Sequence, residues 1–149
     1  MKNLFQAETI TELNERLDKL SPASQRQWGK MNVSQMLAHC SAAVEVAVGD
    51  RNPPQLFLGK ILGPLLKSIL TNDKPFKKNS PTDKSFVITD DRDFDKEKAR
   101  LKQLIKRFHE GGEEKCTTHP HSFFGKLSPG EWSRGMYKHL DHHLRQFGG

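Results

Sequence analysis

Apolar residues recur at spacings of three and four along most of this 149-residue chain, and this period constrains the fold more than any other feature. Such spacing places apolar side chains on one face of an α-helix. The helical period covers five segments, residues 9–20, 32–49, 57–70, 93–109 and 128–147. Because no strong strand pattern accompanies them, the sequence predicts an all-α bundle rather than an α/β fold. We expect residues 1–149 to form a single domain, as this length allows.

Residues that favour helix starts support three of these segments. Thr9 followed by Glu12 has the spacing of a capping box and predicts the start of the first helix. Asn32 is a good N-cap for the second helix. The segment Ser128-Pro129-Gly130-Glu131 combines a serine cap, a proline at the first helical position and a glutamate at the third. These residues therefore predict where the first, second and last helices begin.

The third segment, residues 57–70, allows two interpretations. Its apolar residues cover more than half of the helix circumference, which favours a helix buried in the bundle. The alternative is an amphipathic segment, carrying Lys60 and Lys67, that touches a membrane or a partner helix. Pro64 should kink or break this helix. The long segment that follows, residues 71–90, predicts a surface loop with a short extended piece at 86–88, and loops of that length are usually functional.

Charge and cysteine content argue against several classes of protein. The 24 Lys and Arg residues, which give a net charge of +6, are scattered among 18 Asp and Glu without a basic stripe, so no nucleic-acid partner is expected. Cys40 and Cys116 have no regular spacing, which indicates free thiols in a reducing compartment. Residues 1–6 lack the apolar run of a signal peptide, and no stretch approaches the roughly 20 apolar residues of a membrane span. We therefore predict a cytoplasmic protein without a membrane partner.

Three histidines suggest a metal site. On a helical wheel of about 100° per residue, His139 and His143 lie about 40° apart on the apolar stripe of the last helix. An i, i+4 pair can bind one ion from a single helix face. His39, at the edge of the apolar stripe of the second helix, is the candidate third ligand. Three neutral imidazoles leave coordination positions open, as in catalytic metal sites.

Simpler interpretations of these histidines stay open. A histidine such as His39 at a stripe margin is often a satisfied boundary residue, and the pair on the last helix also fits plain surface polarity. His142 points about 100° away from His143, so a solvent-facing or supporting role is expected. His119 lies in a turn around Pro120, and Glu45 lies about one and a half turns beyond His39. We regard His142, His119 and Glu45 as weak candidates for acid–base or ligand-orienting roles.

Three motifs carry a family resemblance. They are Trp28-x-x-Met31-Asn32-x-x-Gln35-Met36-Leu37-x-His39-Cys40, Thr118-His119-Pro120-x-x-Phe123-Phe124-Gly125-Lys126-Leu127, and Trp132-x-x-x-x-Tyr137-x-His139-Leu140-x-His142-His143-Leu144-x-Gln146-Phe147-Gly148. Together they resemble the DinB/YfiT-like metalloenzyme superfamily, and more narrowly its uncharacterised branch with a closing histidine-rich motif. The resemblance spans nearly the whole chain.

The resemblance implies both a fold and a ligand set. Members of the superfamily are four-helix bundles, often dimeric, in which one histidine of the second helix and an HxxxH pair of the last helix bind a divalent ion, commonly nickel or zinc. Carried over by position, these residues are His39, His139 and His143. We therefore expect a four-helix bundle with an additional short kinked helix at residues 57–70, and a homodimer.

The resemblance also implies an activity. Better-studied relatives are metal-dependent transferases that add low-molecular-weight thiols to electrophiles, or isomerases that use such a thiol as cofactor. The expected function is thus a metal-dependent transferase or hydrolase acting on a small molecule, with a thiol as a candidate second cofactor. The alternative is a non-catalytic stress-response or binding module on the same bundle.

Overall fold

Five α-helices and two short 3₁₀ turns make up the protein, and the computed structural model, which describes residues 1–149, contains no strand. The helices are α1 (Ala7–Asp18), α2 (Val33–Ala47), α3 (Phe57–Thr71), α4 (Phe94–Gly111) and α5 (Pro129–Gln146). The all-helical prediction is confirmed. No helix is both long enough and apolar enough to cross a membrane.

Reciprocal capping boxes fix the starts of α2 and α5. The Asn32 side chain accepts a hydrogen bond from the Gln35 backbone N–H, and the Gln35 side chain accepts one from the Asn32 N–H. Ser128 and Glu131 exchange the same pair of bonds at the start of α5, where Pro129 occupies the first helical position. Each box satisfies two backbone donors that a helix start leaves unpaired. The predicted starts of these two helices are confirmed.

The predicted capping box of α1 is wrong. The helix begins at Ala7, two residues before Thr9, and Gln6 occupies the N-cap position without a side-chain cap. Thr9 is buried inside the helix, where its hydroxyl lies 3.3 Å from the Gln6 side-chain oxygen. Glu12 instead forms ion pairs with Lys2 and Arg16. Burial of Thr9 and the neighbouring charges thus outweighed the local sequence pattern.

The core surrounds α2, which packs against α4 and α5, while α1 also packs against α4 and α5. Twelve of the 15 residues of α2 are buried, including small residues such as Ala38 and Ala42 that let neighbouring helices come close. Large apolar side chains of α4 and α5, among them Ile105, Trp132 and Leu140, complete this core. Because α2 is covered on nearly all sides, His39 lies inside the protein rather than at a margin.

The structure overturns the prediction that the third helix is buried. Only Gly59, Gly63 and Leu70 of α3 are buried, and the main helical contact of α3 is with α5. A Cβ at Gly59 or Gly63 would lie 2.6 or 2.2 Å from the Phe123 carbonyl oxygen, so the glycines let the 122–124 segment contact this side directly. The large apolar side chains consequently face outward. The helix is also unbroken, since it continues through Pro64.

The loop between α3 and α4 contains a 3₁₀ turn at Lys84–Phe86, so the predicted extended piece at 86–88 is wrong for Phe86, whereas the backbone of Val87 is extended. The Asp83 carboxylate accepts a hydrogen bond from the Ser85 N–H and caps this turn. Such local side-chain bonds favour a turn over an extended backbone. The turn brings Phe86 against α2.

Substituting Gly63 should show how tightly α3 is docked. We expect Gly63→Ala to lower the free energy of unfolding by about 1–3 kcal/mol, because the added methyl group collides with backbone rather than with a flexible side chain. The matched control is Gly130→Ala in α5, where a Cβ meets nothing within 4 Å. Urea unfolding monitored by circular dichroism measures both variants. Equal midpoints for the two variants would contradict this close docking.

Candidate metal centre

Three histidine rings meet where α2 faces α5. The ring centroid of His39 lies 4.9 Å from that of His139 and 4.7 Å from that of His143. The rings of His139 and His143 are 4.7 Å apart. One ring nitrogen from each residue lies within 4.8 Å of those of the other two. The structure thus brings together the three residues that the sequence singled out, while their role as metal ligands stays a prediction.

Helix geometry explains how the cluster forms. His139 and His143 are one turn apart on α5, on the side that also carries the buried residues Trp132, Met136 and Leu140. The apolar residues hold this face of α5 towards the interior, and the two imidazoles follow it. His39 comes from the middle of the buried helix α2. Hydrophobic packing therefore places the rings, and polar contacts only orient them.

A backbone carbonyl orients the ring of His39. Its Nδ1 lies 2.8 Å from the Phe86 carbonyl oxygen. Because a carbonyl can only accept a hydrogen bond, Nδ1 of the neutral ring carries the hydrogen, and Nε2 is left with a free lone pair. Nε2 is the nitrogen that faces His139, at 3.0 Å from the His139 Nε2.

Gln146 orients the ring of His143 in the same way. The His143 Nδ1 lies 2.8 Å from the Gln146 Oε1, and the Gln146 Nε2 donates to the Trp28 carbonyl oxygen at 2.8 Å. The second bond fixes which end of the amide is the acceptor, so Nδ1 of His143 carries the hydrogen and its Nε2 is free. The buried Gln146 amide has room because Gly29 lacks a Cβ, which would lie 2.6 Å from its Nε2.

His139 has no orienting partner. Its Nδ1 is buried without a hydrogen bond, whereas its Nε2 faces the lone pair of His39. Two nitrogens at this distance need either a shared hydrogen or a cation between their lone pairs. The set of three imidazoles is the donor chemistry that zinc, nickel and copper accept.

Burial keeps these rings neutral. It lowers the pKa of His39 and lowers the pKa of His143 to about 3. It lowers the pKa of His139 well below its ordinary value, and the neighbouring His143 and His39 add to the effect. Neutral imidazole is the form that binds metal ions.

The spacing of the cluster is close to what an ion requires. Zinc–nitrogen bonds of about 2.0–2.1 Å in a tetrahedral site place two ligands of one ion about 3.3–3.4 Å apart. The His39 and His139 nitrogens, at 3.0 Å, are close to this spacing, and all three nitrogens lie within 4.8 Å of one another. Side-chain rotations that move a ring nitrogen by about 1 Å would bring all three to this spacing. The residues therefore fit a divalent ion.

Of the weak candidates, only His142 lies beside the cluster. Its ring centroid is 5.1 Å from that of His143 and 5.4 Å from that of Trp28, and Phe76 approaches it to 6.0 Å. The side chain is partly buried, and burial lowers its pKa. His142 thus lies between the three histidines and the aromatic residues of two loops.

The structure does not bring Glu45 or His119 to the cluster. The Glu45 carboxylate is held by Arg100 and Arg51, so it orients no histidine. The His119 Nε2 donates to the Pro53 carbonyl oxygen at 2.9 Å. His119 lines a polar cleft of about 660 Å³ near the C-terminal end of α2, and none of the three clustered histidines lines that cleft. Neither residue contacts the three clustered histidines, and the roles suggested for them stay predictions.

Sequence reasoning missed the two groups that orient the rings. Gln146 and Trp28 belong to the motifs quoted above, but their contact joins residues 118 positions apart and has no local signature. The Phe86 carbonyl is backbone, which no residue type marks. A glutamine three residues after a helical histidine was the one available signal, because i, i+3 side chains are neighbours on a helix.

These features define an all-helical protein with a cluster of three histidines that is compatible with a metal site. The chain belongs to the family described as "Protein of unknown function (DUF1569)", whose profile matches residues 2–148. Comparison with curated proteins and with solved structures found no match. Membership of the wider DinB-like superfamily stays a prediction.

The substitution Gln146→Leu should show whether Gln146 orients the His143 ring or only fills space in the core. The substitution keeps the side-chain volume but leaves the His143 Nδ1 and the Trp28 carbonyl without partners, so we expect a loss of about 1–3 kcal/mol in unfolding free energy. Nitrogen-15 NMR of metal-free protein should show that His143 no longer holds its hydrogen on Nδ1 alone. Gln103→Leu, at an exposed position of α4, is the control. An unchanged His143 tautomer in Gln146→Leu would contradict the orienting role.

Proposed function

We propose that this protein binds a divalent metal ion through His39, His139 and His143, and that it is a metal-dependent enzyme acting on a small molecule. One observation carries the proposal: two buried rings have their Nδ1 atoms tied to acceptors, so that the Nε2 lone pairs are free for a shared ion. Zinc and nickel are the favoured ions, because both accept imidazole ligands and three protein ligands leave positions open for substrate.

The residues around the ion would have separate tasks. When bound, the ion would act as a Lewis acid that polarises a carbonyl or activates a water or thiol. Phe86 and Gln146 accept the Nδ1 hydrogens of His39 and His143, which would leave the Nε2 atoms to hold the ion. His142, partly exposed beside His143, is our candidate for exchanging a proton with substrate. Transfer of a thiol group and hydrolysis both remain proposals, the first resting on the resemblance.

The fold supports a bundle of the DinB-like kind. Helices α1, α2, α4 and α5 supply nearly all of the core, whereas Leu70 is the only residue of α3 in it. We therefore propose that these four helices are the bundle and that α3 is the addition. A non-catalytic binding role is the second candidate, and it is favoured by the position of the 660 Å³ cleft, which the three histidines do not line.

Metal analysis of untagged protein tests the proposal. We expect about one equivalent of zinc or nickel by mass spectrometry, and His39→Ala, His139→Ala and His143→Ala should each weaken binding by more than the 10–100-fold typical of losing an outer partner. His119→Ala is the matched control, because its ring lines a different cleft.

Stability provides a second measurement of the same site. Metal at about 100 times its dissociation constant should raise the unfolding free energy by about 2.7 kcal/mol, and a chelator should reverse the gain. The histidine variants should show no such gain, whereas the His119→Ala control should. Equal metal content in all four variants would remove the proposal.

A further inference from the structure

The outward face of α3 is apolar along the helix except at Ser68, which is exposed. The large side chains on this face are between 39% and 78% exposed, and the two most exposed are Phe57 at 75% and Leu65 at 78%. The set is Leu56, Phe57, Leu58, Ile61, Leu62, Leu65 and Ile69. On a helical wheel, positions 57–69 of this set fall within a stripe about 140° wide, opposite to Gly59 and Gly63. We call this set the α3 stripe.

The area of the α3 stripe is that of an interface. At these exposures the seven residues present roughly 700 Å² of surface, more than the 300–600 Å² of the largest apolar patch on a typical monomer. A specific protein–protein interface buries about 800 Å² on each partner. The stripe therefore has nearly the area that a stable dimer needs, on one helix.

The helix presents this stripe rigidly. Gly59 and Gly63 pack directly on the backbone of residues 122–124, and the Leu56 N–H donates to the Ser122 carbonyl oxygen at 2.8 Å. Near the other end, Leu70 packs against Gly135 of α5, where a Cβ would lie 2.8 Å from the Leu70 side chain. A fixed surface loses little conformational freedom when it binds, which favours association.

The distribution of charge on α3 favours a protein partner over a membrane surface as the group that covers the α3 stripe. Lys60 and Lys67 are the only charged residues from 52 to 72, and both lie to one side of the α3 stripe. Lys67 is already paired with Glu131 at 2.8 Å, so Lys60 is the one lysine of α3 outside an ion pair. A helix that lies on an anionic membrane carries several cations along its polar face. An apolar centre without charge is instead typical of a protein interface.

We propose that two copies of this chain associate through the α3 stripe, around a two-fold axis. In such an isologous contact the same patch serves both partners, so each residue needs a counterpart on the stripe itself. An apolar stripe without charged residues meets that requirement, and Lys60 remains at the solvent-exposed rim. Phe57 and Leu65, the most exposed side chains, would be the principal anchors.

Sedimentation equilibrium of the full chain tests the proposal. We expect the wild type to be dimeric, and Phe57→Glu and Leu65→Glu to raise the dissociation constant by about 30-fold or more, the loss expected for an interface anchor. Val87→Glu is the control, because Val87 is 48% exposed but lies outside α3, and it should remain dimeric. Circular dichroism should show unchanged helix content, since the substituted side chains face solvent.

A covalent readout complements the measurement of mass. Cys40 and Cys116 are buried, so Ile61→Cys introduces one exposed thiol near the middle of the α3 stripe. We expect oxidation to cross-link this variant as a dimer.

Two results would overturn the proposal, namely a monomeric wild type and a dimer that both glutamate variants leave intact. Flotation of such a monomer with phosphatidylglycerol vesicles would assign the stripe to a membrane surface instead.

Discussion

The packing of α2 against α4 and α5 is the interaction on which the rest of the structure depends. It buries nearly all of α2 and, with it, one imidazole whose partners lie on α5. Each large apolar side chain buried in this contact stabilises the fold by about 1.5–3 kcal/mol. Burying a polar group without a full set of partners costs about 1–3 kcal/mol. The apolar core therefore offsets the cost of a histidine cluster in which the His139 Nδ1 has no partner.

Much of this arrangement follows from the sequence, because its causes are local. Spacings of three and four fix the helices, and the cap residues Asn32 and Ser128 fix two of their starts. The i, i+4 pair on α5 shares a face by helix geometry alone. That His39 would meet the pair on α5 was an inference about packing. It was correct because α2 carries apolar residues on both sides of that histidine. Thr9 shows the limit of such local patterns, since Thr9 and Glu12 have the spacing of a capping box but Thr9 is buried inside the helix instead.

What the sequence could not supply depends on distant or backbone partners. Glu45 was a weak candidate for orienting a ligand, but its carboxylate is bound by Arg100 of α4, 55 residues further along the chain. The carbonyl of Phe86 carries no side-chain signature. Which face of α3 packs on the protein was ambiguous for a different reason. Apolar periodicity predicts a helix but does not identify the neighbour that covers its apolar face. In α3 the glycines form the contact with the rest of the protein, and the large apolar residues remain exposed on the opposite face.

The cluster is oriented from three separate parts of the chain. The loop after α3 supplies the Phe86 carbonyl, the segment before α2 supplies the Trp28 carbonyl that holds Gln146, and α5 supplies the rigid spacing of its two histidines. The Gln27 N–H also donates to the Gln146 carbonyl oxygen at 2.8 Å, so the end of α5 is tied to that segment twice. Gly29, with a φ of 81°, is the residue that lets the chain turn there without displacing the Gln146 amide. The helices thus set the positions of the rings, while two loop carbonyls set their orientation, directly for His39 and through Gln146 of α5 for His143.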